Sequence, residues 1–192
     1  MARNYVSTMF SDKARRLQAI DGSREAYARM EMGADGSPDA IGEREIAFIE
    51  ARDSFYLASI TPDGWPYIQH RGGPPGFLRA IGANRIGFAD YRGNRQHLSE
   101  ANMAHDARVS LFLMDYPNRR RLKLIGLATM VSRAEDPVLV EALMPVGYAA
   151  VAERACLIDV VGFDWNCPQH ITPRFTEAEL RLREAALPAT GE

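Results

Sequence analysis

Two textures divide the chain. In the first, apolar residues recur at helical spacing among charged ones. Residues 11–31 are charged, alanine-containing and weakly periodic, which predicts one or two short helices broken near Asp21-Gly22. Gly33 to Pro38 is a run of breakers and predicts a loop. Residues 39–52 fit an amphipathic helix with Ile41, Ile46, Phe48 and Ile49 as its apolar members.

The second texture begins at Ser54, where short apolar blocks alternate with turn residues. Ser54 to Ile60 predicts a strand, Thr61-Pro62-Asp63-Gly64 a turn, and Trp65 to Gln69 a returning strand, together a hairpin. After a glycine- and proline-rich loop at Gly72–Gly76, residues 77–81 and 85–89 predict a second hairpin about Gly82-Ala83-Asn84. Residues 95–104 carry a helical pattern. Val109–Met114 and Leu122–Val131 predict strands about a Pro117-Asn118 turn. Asp136-Pro137 opens a helix reaching about Met144, with proline well placed just inside its start. Residues 154–163 predict a last strand. Residues 164–174 predict a loop, and Thr176-Glu177-Ala178-Glu179 begins a helix with a capping-box pattern.

Long strands joined mostly by turns predict a mainly β, α+β fold: an antiparallel barrel with helical additions. The length of 192 residues suits a single domain, 1–192, with residues 1–40 as an N-terminal helical extension. A hydrophobic fraction of 46% allows a sizeable core without disulfides or a structural metal. The net charge is −2 with both signs mixed, which calls for neither nucleic acid nor an acidic membrane as partner. No apolar stretch is long enough to span a bilayer, and no secretory signal is visible. The two cysteines, Cys156 and Cys167, are read as reduced thiols in a cytoplasmic protein.

Candidate chemistry gathers in four segments. In Gln69-His70-Arg71-Gly72-Gly73-Pro74-Pro75-Gly76, a strand ends in donors and glycines. Arginine there matches a phosphate by bidentate bonds, and glycine lets backbone amides approach a ligand; a plain surface turn fits the same letters. Asp90-Tyr91-Arg92-Gly93-Asn94-Arg95-Gln96 runs from a strand into the predicted helix, where open amides favour an anion and Arg95 adds charge. Its glycine and lysine spacing is not that of a Walker loop. Arg119-Arg120-Arg121 is a basic turn whose last arginine enters a strand. Trp165-Asn166-Cys167-Pro168-Gln169-His170 brings an aromatic, a thiol, an amide and an imidazole into one loop. No third group orients Cys167, so a thiol nucleophile is not expected. The histidines and cysteines lack metal-site spacing.

In this order and strand context, Gln69 to Phe77, Gly93 to Gln96 and Trp165 to Ile171 resemble the FMN-binding split barrels related to pyridoxamine 5′-phosphate oxidase. The similarity is closest to a branch described as flavin-nucleotide-binding, and covers roughly residues 40–182. It implies a barrel of roughly six antiparallel strands and a homodimer with one flavin in each cleft between subunits. It implies that Gln69, His70, Arg71 and Gly72 run along the flavin, with Asp90 and Tyr91 nearby. Asn94 and Arg95 match the phosphate-binding pair, and Arg121 aligns with a position that reaches the flavin ring. Trp165, Gln169 and Arg174 fall where the partner subunit contributes, and His170 of the same segment is a further candidate for cofactor binding. The oxidases' Arg-x-His pair for pyridoxal phosphate is replaced by His170-Ile171-Thr172, so the flavin site is implied without pyridoxamine phosphate oxidation. The expectation is an FMN-dependent oxidoreductase acting on a small-molecule substrate or electron donor. Its rivals are a non-catalytic flavin-binding or sensor protein and a related barrel using a deazaflavin or haem.

Overall fold

In a computed structural model, which describes residues 4–32, 37–165 and 168–186, the alternating second half forms one antiparallel sheet. Its strands are β1 (Ser54–Ile60), β2 (Pro66–Gly72), β3 (Leu78–Gly82), β4 (Arg85–Tyr91), β5 (Arg108–Asp115), β6 (Arg120–Ser132) and β7 (Ala152–Trp165). They lie in the order β2-β1-β5-β6-β7-β4-β3, every pair antiparallel. The strand count is thus seven, not the roughly six implied by the resemblance; both hairpins contribute full strands.

Alternation sorts the strand residues into two faces. Phe55 and Leu57 of β1, Leu111 and Leu113 of β5, Leu122 and Leu124 of β6 and Ile158 of β7 are buried on the concave face. The ring of Phe55 stacks on Phe77 at 5.8 Å and meets Phe88 edge-on at 5.4 Å. These rings join β1 to β4 and to the loop before β3. The two edge strands, β2 and β3, share no ladder. The sheet therefore curls around its core without closing, the arrangement of a split barrel.

Helices surround the sheet: α1 (Tyr5–Met9), α2 (Asp12–Ile20), α3 (Arg24–Met32), α4 (Glu43–Glu50), α5 (Leu98–His105), α6 (Pro137–Ala142) and α7 (Glu177–Ala185). The predicted break at Asp21-Gly22 separates α2 from α3, with Gly22 at φ +76°. Helix α4 is shorter than the predicted 39–52. The Glu45 carboxylate accepts from Gly42 N at 3.1 Å and fixes the start at Glu43. Thr176 and Glu179 form the expected capping arrangement at α7, each side chain accepting from the other's backbone N–H. Cys156 is fully buried, and burial pushes its thiol up to about 12. Cys167 lies outside the described residues, as does the stretch from Gly33 to Gly36.

Helix α1 is tied to the sheet by one carboxylate. Asp39 Oδ2 accepts from Tyr5 N at 3.0 Å and from Phe163 N at 3.2 Å, while Asp39 N donates to the Val161 carbonyl at 3.1 Å. Val161 stands where the β6–β7 register shifts, so Asp39 satisfies the backbone that the bulge leaves unpaired. Opposite the bulge, a Cβ on Gly126 would lie 2.6 Å from the Asp159 carbonyl oxygen and 2.7 Å from Ile158. Gly126→Ala is therefore expected to destabilise the fold by ~1–3 kcal/mol through forced backbone displacement. Gly93→Ala, where a Cβ meets open space, is the control and should leave the denaturation midpoint nearly unchanged. Equal midpoints for the two variants would contradict this account of the bulge.

Candidate functional site

A cleft of about 350 Å³ lies against β2, β4, the segment after β4, the first turn of α5 and the start of β7. Pockets of this size accommodate cofactor-sized ligands. Residues of alternate parity on β2, namely Tyr67, Gln69 and Arg71, supply one wall. Tyr67 donates its hydroxyl to Gln69 Oε1, and His70 sits edge-on to the ring of Tyr56 at 5.7 Å. His70, Gly72, Asp90, Tyr91, Asn94 and Arg95 also line the cleft, so with Gln69 and Arg71 eight of the candidate cofactor-binding residues come together here.

The charges are interlocked. Arg71 Nη1 donates to Asp90 Oδ1 at 2.7 Å, and Arg154 donates to Asp90 Oδ2 through Nε at 3.1 Å and Nη2 at 3.0 Å. Arg154 Nη1 lies 3.3 Å from Glu100, which also pairs with His97 Nδ1 at 2.7 Å. Arg92 Nε donates to Glu153 at 2.7 Å, and Arg95 Nη2 stands 4.0 Å from the same carboxylate. The Asp90 side chain is 6% exposed, and both its oxygens are engaged by guanidinium groups. Arg71 Nε is buried with no hydrogen-bond partner among the described residues. An orphaned buried donor is costly and fits an anionic ligand that would accept from it.

The segment after β4 departs from expectation. Helix α5 begins at Leu98, not at 95, because Arg95 and His97 adopt left-handed conformations at φ 59° and 55° that interrupt helical winding. Arg95 is therefore a loop residue ahead of the helix rather than part of its first turn. Asn94 Oδ1 accepts from Gln96 N at 3.2 Å, an Asx-type turn that shapes this loop. His97 occupies the N-cap without a side-chain cap bond, and Leu98, Ser99 and Glu100 line the cleft. Uncapped first-turn amides still favour negative charge. Gly73 has a packing reason: a Cβ there would lie 2.7 Å from the Phe77 ring.

The remaining sequence candidates stand apart from this cleft within one chain. Trp165 Nε1 donates to Glu45 at 2.8 Å, its ring meets Phe48 edge-on at 4.8 Å, and Arg44 and Arg120 lie over it at 4.4 and 5.0 Å. Arg174 lies over the Tyr116 ring at 4.9 Å. Gln169 and His170 are exposed, with His170 at φ 61°. Arg121 lies on β6 opposite Met114, and its Nε is buried without a partner among the described residues. Asn166 and Cys167 of this segment lie outside the described residues. Sequence reasoning missed Tyr67, Phe88, Glu100, Glu153 and Arg154. Tyr67 could have been found from its period-two relation to Gln69 and Arg71. Arg154 could not, since only the β4–β7 register sets it opposite Asp90.

The fold is thus an antiparallel split barrel with an arginine-lined, cofactor-sized cleft beside its open edge. A protein-family model described as pyridoxamine 5′-phosphate oxidase matches residues 42–152. That is more than half of the chain, and the protein belongs to this family, whose membership supports a flavin-type cofactor. No curated protein matches the sequence. Among solved structures, an FMN-binding protein from Syntrophomonas wolfei is 10% identical with a TM-score of 0.48, covering 78% of this chain and 97% of that one. General stress protein 26 from Bacillus anthracis is 13% identical with a TM-score of 0.47, covering 68% and 92%. An F420 reductase is 19% identical with a TM-score of 0.46, covering 65% and 98%. Among the described residues, no helix is long and apolar enough to cross a membrane.

Tyr91 reports on the cleft's inner wall. Its hydroxyl is buried without a partner among the described residues, and its ring lies 5.3 Å from that of Tyr148. Burial, reinforced by Tyr148, pushes the phenol up to about 12 from its ordinary 10.0. The folded state thus keeps a proton that the unfolded state releases, and folding stability contributed by Tyr91 is intact below pH 10 and lost as the pH rises towards 12. Tyr91→Phe should show a shallower loss of denaturant midpoint across that window than the unmodified chain. Parallel pH profiles would contradict the burial of this hydroxyl.

Proposed function

We propose that the protein binds FMN in this cleft, does so as a homodimer, and serves as an FMN-dependent oxidoreductase on a small molecule. The observation that carries the reading is Arg71, a partly buried guanidinium whose Nε is buried and has no partner among the described residues, in a cleft also lined by Asn94 and Arg95. These groups fit a phosphate monoester: arginine supplies a planar fork, and the uncapped turn of α5 adds a favourable dipole. Flavin, when bound, supplies the redox chemistry. The chain's own residues hold the phosphate, present Gln69 and Tyr67 along the strand as polar contacts, and exclude water with Phe77 and Phe88.

The dimer rests on the outward face of β1, β2, β5 and β6. Tyr56 and Ile68 are exposed there at 43% and 65%, beside Phe112 and Ile125, and two apolar hollows of about 500 and 560 Å³ run along this face and α1. An exposed apolar face with such hollows supports a contact with a second copy. In a dimer, the exposed Gln169 and His170 would face the partner's cleft, whereas Trp165, held by Glu45 and Phe48, and Arg174, over the Tyr116 ring, would serve it from positions already fixed within their own chain. The buried thiol of Cys156 goes with a reducing, cytoplasmic setting.

The binding test is a titration with FMN, riboflavin and the adenine dinucleotide form. FMN should bind more tightly than the dinucleotide. Arg71→Met should weaken FMN by roughly ten- to a hundredfold, the value of about one charge-assisted hydrogen bond, and leave riboflavin nearly unaffected. Dinucleotide binding as strong as FMN, or equal losses for FMN and riboflavin, would refute the phosphate assignment.

The assembly test is light scattering at micromolar concentration, where a flavin-loaded dimer is expected. Ile68→Glu, at a position exposed in the single chain, should give a folded monomer with weakened flavin binding. A monomer that retains flavin in the unmodified protein would rule out the interface.

A further inference from the structure

We propose that Asp90 and Arg154 are positioning residues for the ligand phosphate, acting through Arg71 rather than by contact. The proposal rests on the flavin reading above and goes beyond it in giving each side chain a distinct task. A carboxylate has the wrong charge to hold a phosphate, and both oxygens of Asp90 are already taken, Oδ1 by Arg71 and Oδ2 by Arg154.

What Asp90 does follows from which nitrogen it takes. A guanidinium offers two bidentate edges, one made by its two terminal nitrogens and one by Nε with Nη2. Asp90 engages Nη1 at 2.7 Å and so commits one of the two nitrogens of the end-on edge to a carboxylate. The side-on edge remains, and Arg71 Nε on that edge is the buried donor without a partner among the described residues. An arginine on an edge strand, with no backbone ladder to β4, would otherwise sample many rotamers. Asp90 selects the one that turns a two-donor fork towards an anion.

Arg154 makes that arrangement tolerable. Its Nε and Nη2 lie 3.1 and 3.0 Å from Oδ2, which offsets the carboxylate's charge close to the phosphate position. Its Nη1 is 3.3 Å from Glu100 in the first turn of α5, so the same guanidinium links the Asp90 clamp to the helix start. Arg154 is held by the β4–β7 ladder, which sets it opposite Asp90.

The roles separate by the sign of an effect. Asp90→Asn removes a negative charge beside an anion site. If Asp90 acted only as a charge, FMN would bind more tightly. As a positioning residue its loss should weaken FMN by about tenfold, the size of effect typical of groups that orient a ligating residue. Riboflavin should be unchanged, and Asp90→Glu should recover part of the affinity. Arg154→Met should likewise weaken FMN and spare riboflavin, and carries the test if Asp90→Asn does not fold. Thermal protection by inorganic phosphate is the second readout: present in the unmodified protein, diminished in both variants. Flavin titrations that fail on the unmodified protein would count against the flavin reading alone, since the phosphate readout still tests the clamp. FMN binding unchanged or tightened by Asp90→Asn, equal losses for FMN and riboflavin, or phosphate protection equal in all proteins would overturn the proposal.

Discussion

The two ends of the sheet meet without a backbone ladder, and this gap governs the rest of the molecule. Strands β2 and β3 are edges, and side chains span what the backbone does not. Inside, Phe55, Phe77 and Phe88 pack ring against ring across the seam. At the rim, Arg71 of β2 reaches Asp90 of β4. Apolar closure requires little from water, whereas polar closure leaves donors and acceptors that must be satisfied. The cleft sits where the first kind of closure gives way to the second. Gly73 belongs to the same constraint, because the Phe77 ring takes the space that its side chain would need.

Around that seam the chain divides its labour by charge. Acids hold arginines, and arginines are left with donors to spare. Arg71 and Arg154 share Asp90, Arg92 and Arg95 share Glu153, and Glu100 joins Arg154 to His97. The opposite side of the barrel uses the same economy on its backbone: one carboxylate, Asp39, ties α1 to the β7 bulge. Trp165 is likewise committed within its own chain, gripped by Glu45, Phe48 and two arginines. Any service it gives a second subunit would come from a ring already held in place.

Much of this was legible in the sequence, for a local reason. Strand β1 falls on the predicted residues because its alternation and the Thr61–Gly64 turn lie within a few positions of each other. The helix pair at Asp21-Gly22 and the α7 cap were equally local. The start of α5 was not, because nothing in the letters Arg95-Gln96-His97 announces two left-handed residues. Among site residues, Gln69, Arg71, Asn94 and Arg95 came from segments whose composition already looked polar and glycine-rich. Arg154 came from a strand that reads as core, and its role depends on a register between segments more than sixty positions apart. Asp90 was visible as a residue of the site, but its engagement by two arginines was not. The cross-subunit roles proposed for Gln169 and Arg174 would be relations between two chains, which neither one sequence nor one chain contains.

The cleft's lining has a kinetic corollary. Four arginines and three carboxylates line it, so its charges nearly cancel when viewed from a distance. Long-range attraction that speeds encounter depends on that distant field, whereas retention depends on contacts within a few ångströms. An anionic ligand approaching this surface would be guided little from afar and discriminated only after arrival. Selectivity would then reside in how slowly the right ligand leaves, and added salt would alter its residence more than its rate of capture.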